Sequence, residues 1–194
     1  DMPKYWGDNE PSLTHYFTGL STLFPEGESY FVRSVRALRP GVKKHSQLDR
    51  DIGAFIGQEA MHGREHEEYN DFVAQAGIPL HAQEAFVARL LKAVQDYSPQ
   101  SFQLAATVAL EHLTAILGGG LLDLPEILEG ADDGYKAIWN WHALEETEHK
   151  AVCFDAFEQV VGKGIKAYGL RVGAFLLANA LFWSLYLPFY TVMV

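Results

Sequence analysis

Apolar residues recur along this chain at intervals of three and four, the spacing of one helical face. No run alternates with the period of two that marks a strand. The pattern predicts an all-α protein. A short first helix is expected over 12–24, "SLTHYFTGLSTLF", with Ser12 as its cap. Pro25 suits the first turn of a second helix that reaches Leu38 and is closed by Pro40. A long helix follows over 45–76, ended by Gly77 and Pro79, and another over 81–97. Ser98 and Pro99 open a helix that the glycines at 118–120 should end. After a loop with Pro125 and Gly130, Asp132 or Asp133 caps a helix running to Gly162. The helices near 26–38, 45–76, 99–117 and 132–161 form the expected core of a four-helix bundle within 1–163. Residues 164–194 read as a further, apolar helix.

Within that last segment, "VGAFLLANALFWSLYLPFYTVMV" (172–194) carries no charge. As a helix it would be ~35 Å long, enough to cross a bilayer. The same pattern suits a helix packed on the bundle, one joining two copies in a homodimer, or one lining a route for an apolar substrate.

Composition narrows the function. The chain has 194 residues, 25 acidic against 15 basic, and a net charge of −10. Such an acidic chain lacks the basic face that phosphate binding needs, so nucleic acid is not an expected partner. The one cysteine, Cys153, rules out an internal disulfide and a cysteine-based zinc site. A reducing, cytoplasmic setting is the expectation, with membrane association through 172–194 as its variant. The opening "DMPKYWGDNEPS" has no signal-peptide pattern.

The candidate chemistry lies in "WHALEETEHK" (141–150). At 100° per residue, His142, Glu146 and His149 fall within ~60° of one another on a helix. Glu145 lies at the edge of the same stripe, and spacing alone does not choose between it and Glu146. Glu148 points away. The helix over 45–76 repeats the theme in "GQEAMHGREH", where Glu59 and His62 are a Glu-x-x-His pair and His66 follows one turn on. The helix over 99–117 offers Glu111 as the one acid in an apolar face. The helix over 26–38 offers Glu26 and Glu28, and its apolar neighbours favour Glu28 as the inward one.

Two Glu-x-x-His pairs and two lone inward glutamates make the donor set of dinuclear carboxylate bundles. The residue types follow from charge. Four buried carboxylates repel one another and are costly to desolvate. Two divalent cations would neutralise them. Oxygen and imidazole donors suit iron or manganese alike; iron is the expected metal, with manganese or a mixed pair as variants.

"FPEGESYFVRSVR", "FIGQEAMHGREH", "ALEHLTAILGG" and "WHALEETEHKAVCFD" resemble the bacterial family of predicted metal-dependent hydrolases, a branch of the ferritin-like superfamily. The likeness covers most of 24–160. The His-x-x-x-Glu-x-x-His stripe is also similar to that of the di-iron aminobenzoate N-oxygenases. The resemblance implies the metal ligands Glu28, Glu59, His62, Glu111, His142, Glu146 and His149, and it selects Glu146 over Glu145.

Around this set, His66 reads as a further donor, a proton relay or a hydrogen-bonded core residue. Thr114, one turn from Glu111, could place a proton near a reacting oxygen. Glu145 and Glu148, and less directly Asp155, could orient histidines, because a metal-bound imidazole needs a partner for its second nitrogen. Cys153 reads as packing. Phe31, Phe55, Trp139 and Trp141 are candidate pocket walls. The expected function is a di-iron oxidase or oxygenase that uses O2 and an external electron donor on a small apolar or aromatic substrate. Hydrolysis by a metal-bound hydroxide is the alternative, and iron storage a third reading.

Overall fold

The computed structural model describes residues 4–78 and 80–194, so the expected stop at Pro79 lies outside the described residues. Among the described residues there are eight α-helices and no strand: α1 (Pro11–Ser21), α2 (Phe24–Leu38), α3 (Gln47–Gln75), α4 (His81–Tyr97), α5 (Gln100–Asp123), α6 (Asp133–His149), α7 (Val152–Val160) and α8 (Ile165–Met193). The protein is all-α, as the periodicity predicts.

Helix α5 is the central element. It packs against α2, α6, α7 and α8, while α3 packs against α2, α6 and α7. Helices α2, α3, α5 and the α6–α7 pair therefore enclose one interior. Helix α8 lies along α5 and also touches α1. Its buried stripe is Ala167, Ala174, Ala178, Phe182 and Tyr186, whereas Leu176, Leu177, Leu187 and Val192 face outward. By length and composition alone, α5 and α8 are each apolar enough to cross a membrane, and α5 is the more buried of the two.

The interior has two apolar layers. One gathers Trp6, Phe17, Phe24, Tyr69, Leu113, Trp139 and Tyr186. The other gathers Phe31, Val35, Phe55, Leu104, Cys153 and Phe157. Each core helix passes from one layer to the other. In α2, Glu28 falls between Phe24 and Phe31. In α3, Glu59 and His62 fall between Phe55 and Tyr69. In α5, Glu111 falls between Leu104 and Leu113. In α6, the His142–His149 stripe falls between Trp139 and Cys153 at the start of α7. A polar layer is thus held at mid-height between two apolar ones.

Four local expectations change. Helix α1 starts one residue before Ser12: Glu10 is the cap, accepting from the Ser12 amide at 3.4 Å, and Pro11 takes the first turn. Ser98 closes α4 by donating its hydroxyl to the Val94 carbonyl, and Pro99 stands at the cap of α5. Helix α5 runs through Gly118–Gly120 to Asp123. A Cβ at Gly118 would stand 3.0 Å from the Ala143 carbonyl oxygen, so glycine lets α5 and α6 approach, and tertiary packing outweighs its low helix propensity. The helix expected over 132–161 is interrupted directly after His149. Lys150 and Ala151 keep right-handed dihedrals, so the chain bends there and does not reverse. Asp132 caps α6 by accepting from the Gly134 amide at 3.0 Å, as expected.

Candidate metal centre

The polar layer brings seven side chains together. Glu28 comes from α2, Glu59 and His62 from α3, Glu111 from α5, and His142, Glu146 and His149 from α6, all of them buried. His149 Nε2 lies 3.0 Å from Glu59 Oε1, 3.5 Å from Glu111 Oε2 and 3.7 Å from Glu146 Oε1. His142 Nε2 lies 3.1 Å from Glu146 Oε1 and 3.9 Å from Glu28 Oε1. His62 Nδ1 lies 3.5 Å from both Glu59 Oε1 and Glu146 Oε1. One oxygen of Glu146 therefore faces all three imidazoles. Among the described residues three compact trios result, Glu59–Glu111–His149, His62–His142–Glu146 and, with His66 added, Glu28–His66–His142, each with its donor atoms within 4.8 Å of one another.

Buried polar atoms normally have hydrogen-bond partners. Here both carboxylate oxygens of Glu28, Glu59 and Glu111 lack one, as do His62 Nδ1 and His149 Nε2. These atoms all point into the same small volume. A layer of unpartnered acceptors enclosed by apolar side chains is a poor design for a bare protein and a suitable cradle for cations.

The outward nitrogens tell the complementary story. His62 Nε2 donates to Glu145 Oε2 at 3.0 Å, and Glu145 is itself held by the Trp141 indole N–H at 3.0 Å. His149 Nδ1 donates to Gln58 Oε1 at 3.2 Å. His142 is oriented through a chain of bonds. The Asn70 amide donates to the Ser21 carbonyl at 3.0 Å and to Glu84 at 2.9 Å, so its oxygen is the acceptor for the Ser21 hydroxyl at 2.7 Å. Having spent its one proton, Ser21 Oγ accepts from His66 Nδ1 at 2.8 Å. Neutral His66 then offers a lone pair at Nε2, which accepts from His142 Nδ1. His142 Nε2 meets Glu146 Oε1 at 3.1 Å, a hydrogen bond that a bound cation would displace; in neutral His62 and His149 the outer nitrogen carries the proton and the inner one a free lone pair. That is the tautomer a metal requires.

Charge in the metal-free chain is balanced by protons. Burial pushes the Glu28 and Glu111 carboxyls well above the carboxylate range, and the neighbouring glutamate charges push the same way. Burial also acts to raise Glu146, but the hydrogen bond from His142 and the facing His149 imidazole outweigh it and hold this carboxyl well below the usual range. For His149, burial lowers the imidazole, yet the facing Glu146 and Glu59 carboxylates prevail and carry it to about 9. Burial lowers His66 well below its ordinary value, and the His142 and His62 rings add to this. A proton on His149 and protons on two carboxyls occupy the role that cations would take.

The remaining sequence candidates fall as follows. Both nitrogens of His66 are taken, by Ser21 and His142. Thr114 donates its hydroxyl to Glu146 Oε2. Phe55 meets His149 edge-on with ring centroids 5.0 Å apart, and Trp141 meets His62 at 4.9 Å. Trp139 stacks parallel to His142 at 6.3 Å, and Phe31 lines an adjoining cavity. Glu148 is exposed and reaches Gln58 at 3.5 Å, Asp155 is exposed, and Cys153 is buried in the second apolar layer. Sequence reasoning missed Gln58, Ser21 and Asn70. Gln58 adjoins Glu59, but nothing in its spacing distinguishes it from a solvated residue. Ser21 and Asn70 carried one available signal, a small polar residue on an otherwise apolar helical face.

A helical protein with a buried carboxylate–imidazole cluster of this kind is a metal-binding protein by its donor chemistry. The chain belongs to the family described as predicted metal-dependent hydrolase, whose model it matches over residues 1–194. No curated protein and no solved structure matches it.

Proposed function

We propose that this protein is a dinuclear metal-dependent enzyme that hydrolyses a small, largely apolar substrate. The ligands are Glu28, Glu59, His62, Glu111, His142, Glu146 and His149, the donor pattern of ferritin-like carboxylate bundles. The observation that carries the reading is the convergence of unpartnered carboxylate oxygens and imidazole lone pairs whose outer nitrogens are all engaged. The family's description supports hydrolysis as the reaction. A bound cation pair would supply Lewis acidity and an acidified water. The chain's own residues do the rest. Glu145, Gln58 and His66 fix the imidazoles. Thr114 donates its hydroxyl hydrogen to Glu146 Oε2, beside a cavity of about 400 Å³ that Glu146, His142 and Trp139 help to line. That cavity's walls are mostly hydrocarbon, so few polar groups compete for a substrate at the reacting end.

A second reading is oxidation by O2 at two iron or manganese ions, with an external electron donor. Its support is that the cavity beside Glu146 is walled almost entirely by hydrocarbon, with the Thr114 hydroxyl set against the cluster. One set of measurements separates the two. Elemental analysis of purified protein should give two metal ions per chain, falling below one in Glu59→Ala and His149→Ala. Ester turnover in the absence of O2 supports hydrolysis. A new absorption band when the anaerobic ferrous protein meets O2, without ester turnover, transfers the assignment to oxidation. Protein without stoichiometric metal overturns both.

A further inference from the structure

Two apolar cavities adjoin the centre. The larger, about 400 Å³, reaches His142 and Glu146 and extends past Leu121 to the exposed Leu124 and Ile127. The smaller, about 130 Å³, reaches Glu28 and is roofed by α8. Phe24 and Thr114 line both, so these two side chains form the wall between them. Apart from the Tyr16 and Tyr30 phenols, the titratable side chains lining either cavity are members of the cluster itself.

Each cavity also has a glycine in a helix interior. Gly120 of α5 lines the larger and Gly27 of α2 the smaller. A Cβ at either would meet nothing within 4 Å, so close packing does not call for glycine there. A helical glycine costs up to ~1 kcal/mol relative to alanine. These two leave space unfilled in the cavity walls.

We infer that the substrate is a linear aliphatic chain with an internal reacting group that sits at Thr114 and Glu146, one hydrocarbon arm lying in each cavity on either side of Phe24. A compact ring would fill one cavity and leave the other open. A flexible chain can bend around the Phe24–Thr114 wall, and the absence of charged walls away from the cluster matches uncharged arms. The assignment of the reacting group rests on the metal-dependent reading above, but occupancy of the cavities by a chain does not.

The test uses linear secondary alkanols with a mid-chain hydroxyl, of increasing length, as probes, with binding read from tryptophan fluorescence, since Trp139 lines the larger cavity. Both the protein as purified and chelator-treated protein are titrated, and metal content is measured separately. Affinity should rise about four-fold with each added CH2 until the space is full. Gly120→Leu and Gly27→Leu should retain metal and thermal stability, and each should end that rise at a shorter chain. A flat response to length overturns the inference, as does tighter binding of benzyl-type alcohols of equal carbon number. A shift in Gly120→Leu alone confines the ligand to the larger cavity and overturns the two-cavity assignment. Loss of metal stoichiometry with chain-length dependence intact counts against the metal reading and leaves the aliphatic ligand standing.

Discussion

At the scale of single residues, the centre depends on groups that never face the inner volume. Glu145 anchors His62, Gln58 anchors His149, and Ser21 acts on His142 through His66. Removing such a partner typically weakens metal affinity 10- to 100-fold. Competition with a chromophoric chelator should therefore show a loss of that size in Glu145→Ala and Ser21→Ala. Glu145→Gln keeps an acceptor for His62 Nε2–H and should retain most of the affinity. Equal affinity in Glu145→Ala and the parent would remove the anchoring role. A pH prediction belongs at this scale too. In the metal-free fold the His149 imidazole sits at about 9, above its ordinary 6.5, so its contribution is complete below 6.5 and is lost as pH climbs through 9. Glu28 and Glu111 also retain protons in the fold, so they too cost stability as pH rises above the ordinary carboxyl range. All three have the same sign above pH 7. Thermal melts in chelator should fall between pH 7 and 9, and metal-loaded protein should change less. A chelated protein that gains stability over that interval would contradict this balance.

At the scale of elements, α5 is the test case. Its glycines resembled a stop in the sequence, and in the fold they are helical. Gly118→Ala places a Cβ 3.0 Å from the Ala143 carbonyl oxygen and 3.1 Å from its Cα, so two backbones must part. Crowding of this kind costs about 1–3 kcal/mol, more than the ~1 kcal/mol gained in helix propensity. The melting temperature should drop, and metal stoichiometry with it, because Glu111 and Glu146 lie on the two displaced helices. Gly119→Ala meets nothing within 4 Å and should stabilise slightly. This contrast explains what the sequence made legible. The periodicity of α2, α3 and α6, and the lone acid among apolar residues in α5, were readable because each depends on spacing within one segment. The passage of α5 through three glycines was not, because it depends on which helix lies opposite. Gln58, Ser21 and Asn70 stayed hidden for the same reason: their partners are on other helices, or reached through another side chain. In α8, a continuous apolar run gave no period by which to choose its inner stripe, and the contacts with α5 and α1 now define it.

At the scale of the whole molecule, the two apolar layers are self-sufficient and the polar layer between them is not. Unpartnered carboxylates there are tolerated through bound protons or bound cations. Cations that bind the folded chain and not the unfolded one stabilise it by mass action, by ~2.7 kcal/mol at a hundred-fold excess over the dissociation constant. Chelation should lower the melting temperature reversibly, and re-addition of metal should restore it while releasing protons into a weakly buffered solution. A melting temperature indifferent to chelator would mean that the layer needs no cation.

Because every one of the four core helices delivers a donor to the same point, the ions would work as a rivet through the middle of the barrel. The interior of a globular protein is ordinarily the last region to exchange its amide hydrogens. Stripped of metal, this one should loosen first at its waist, around Glu59 and Glu111, while the aromatic ends stay shut.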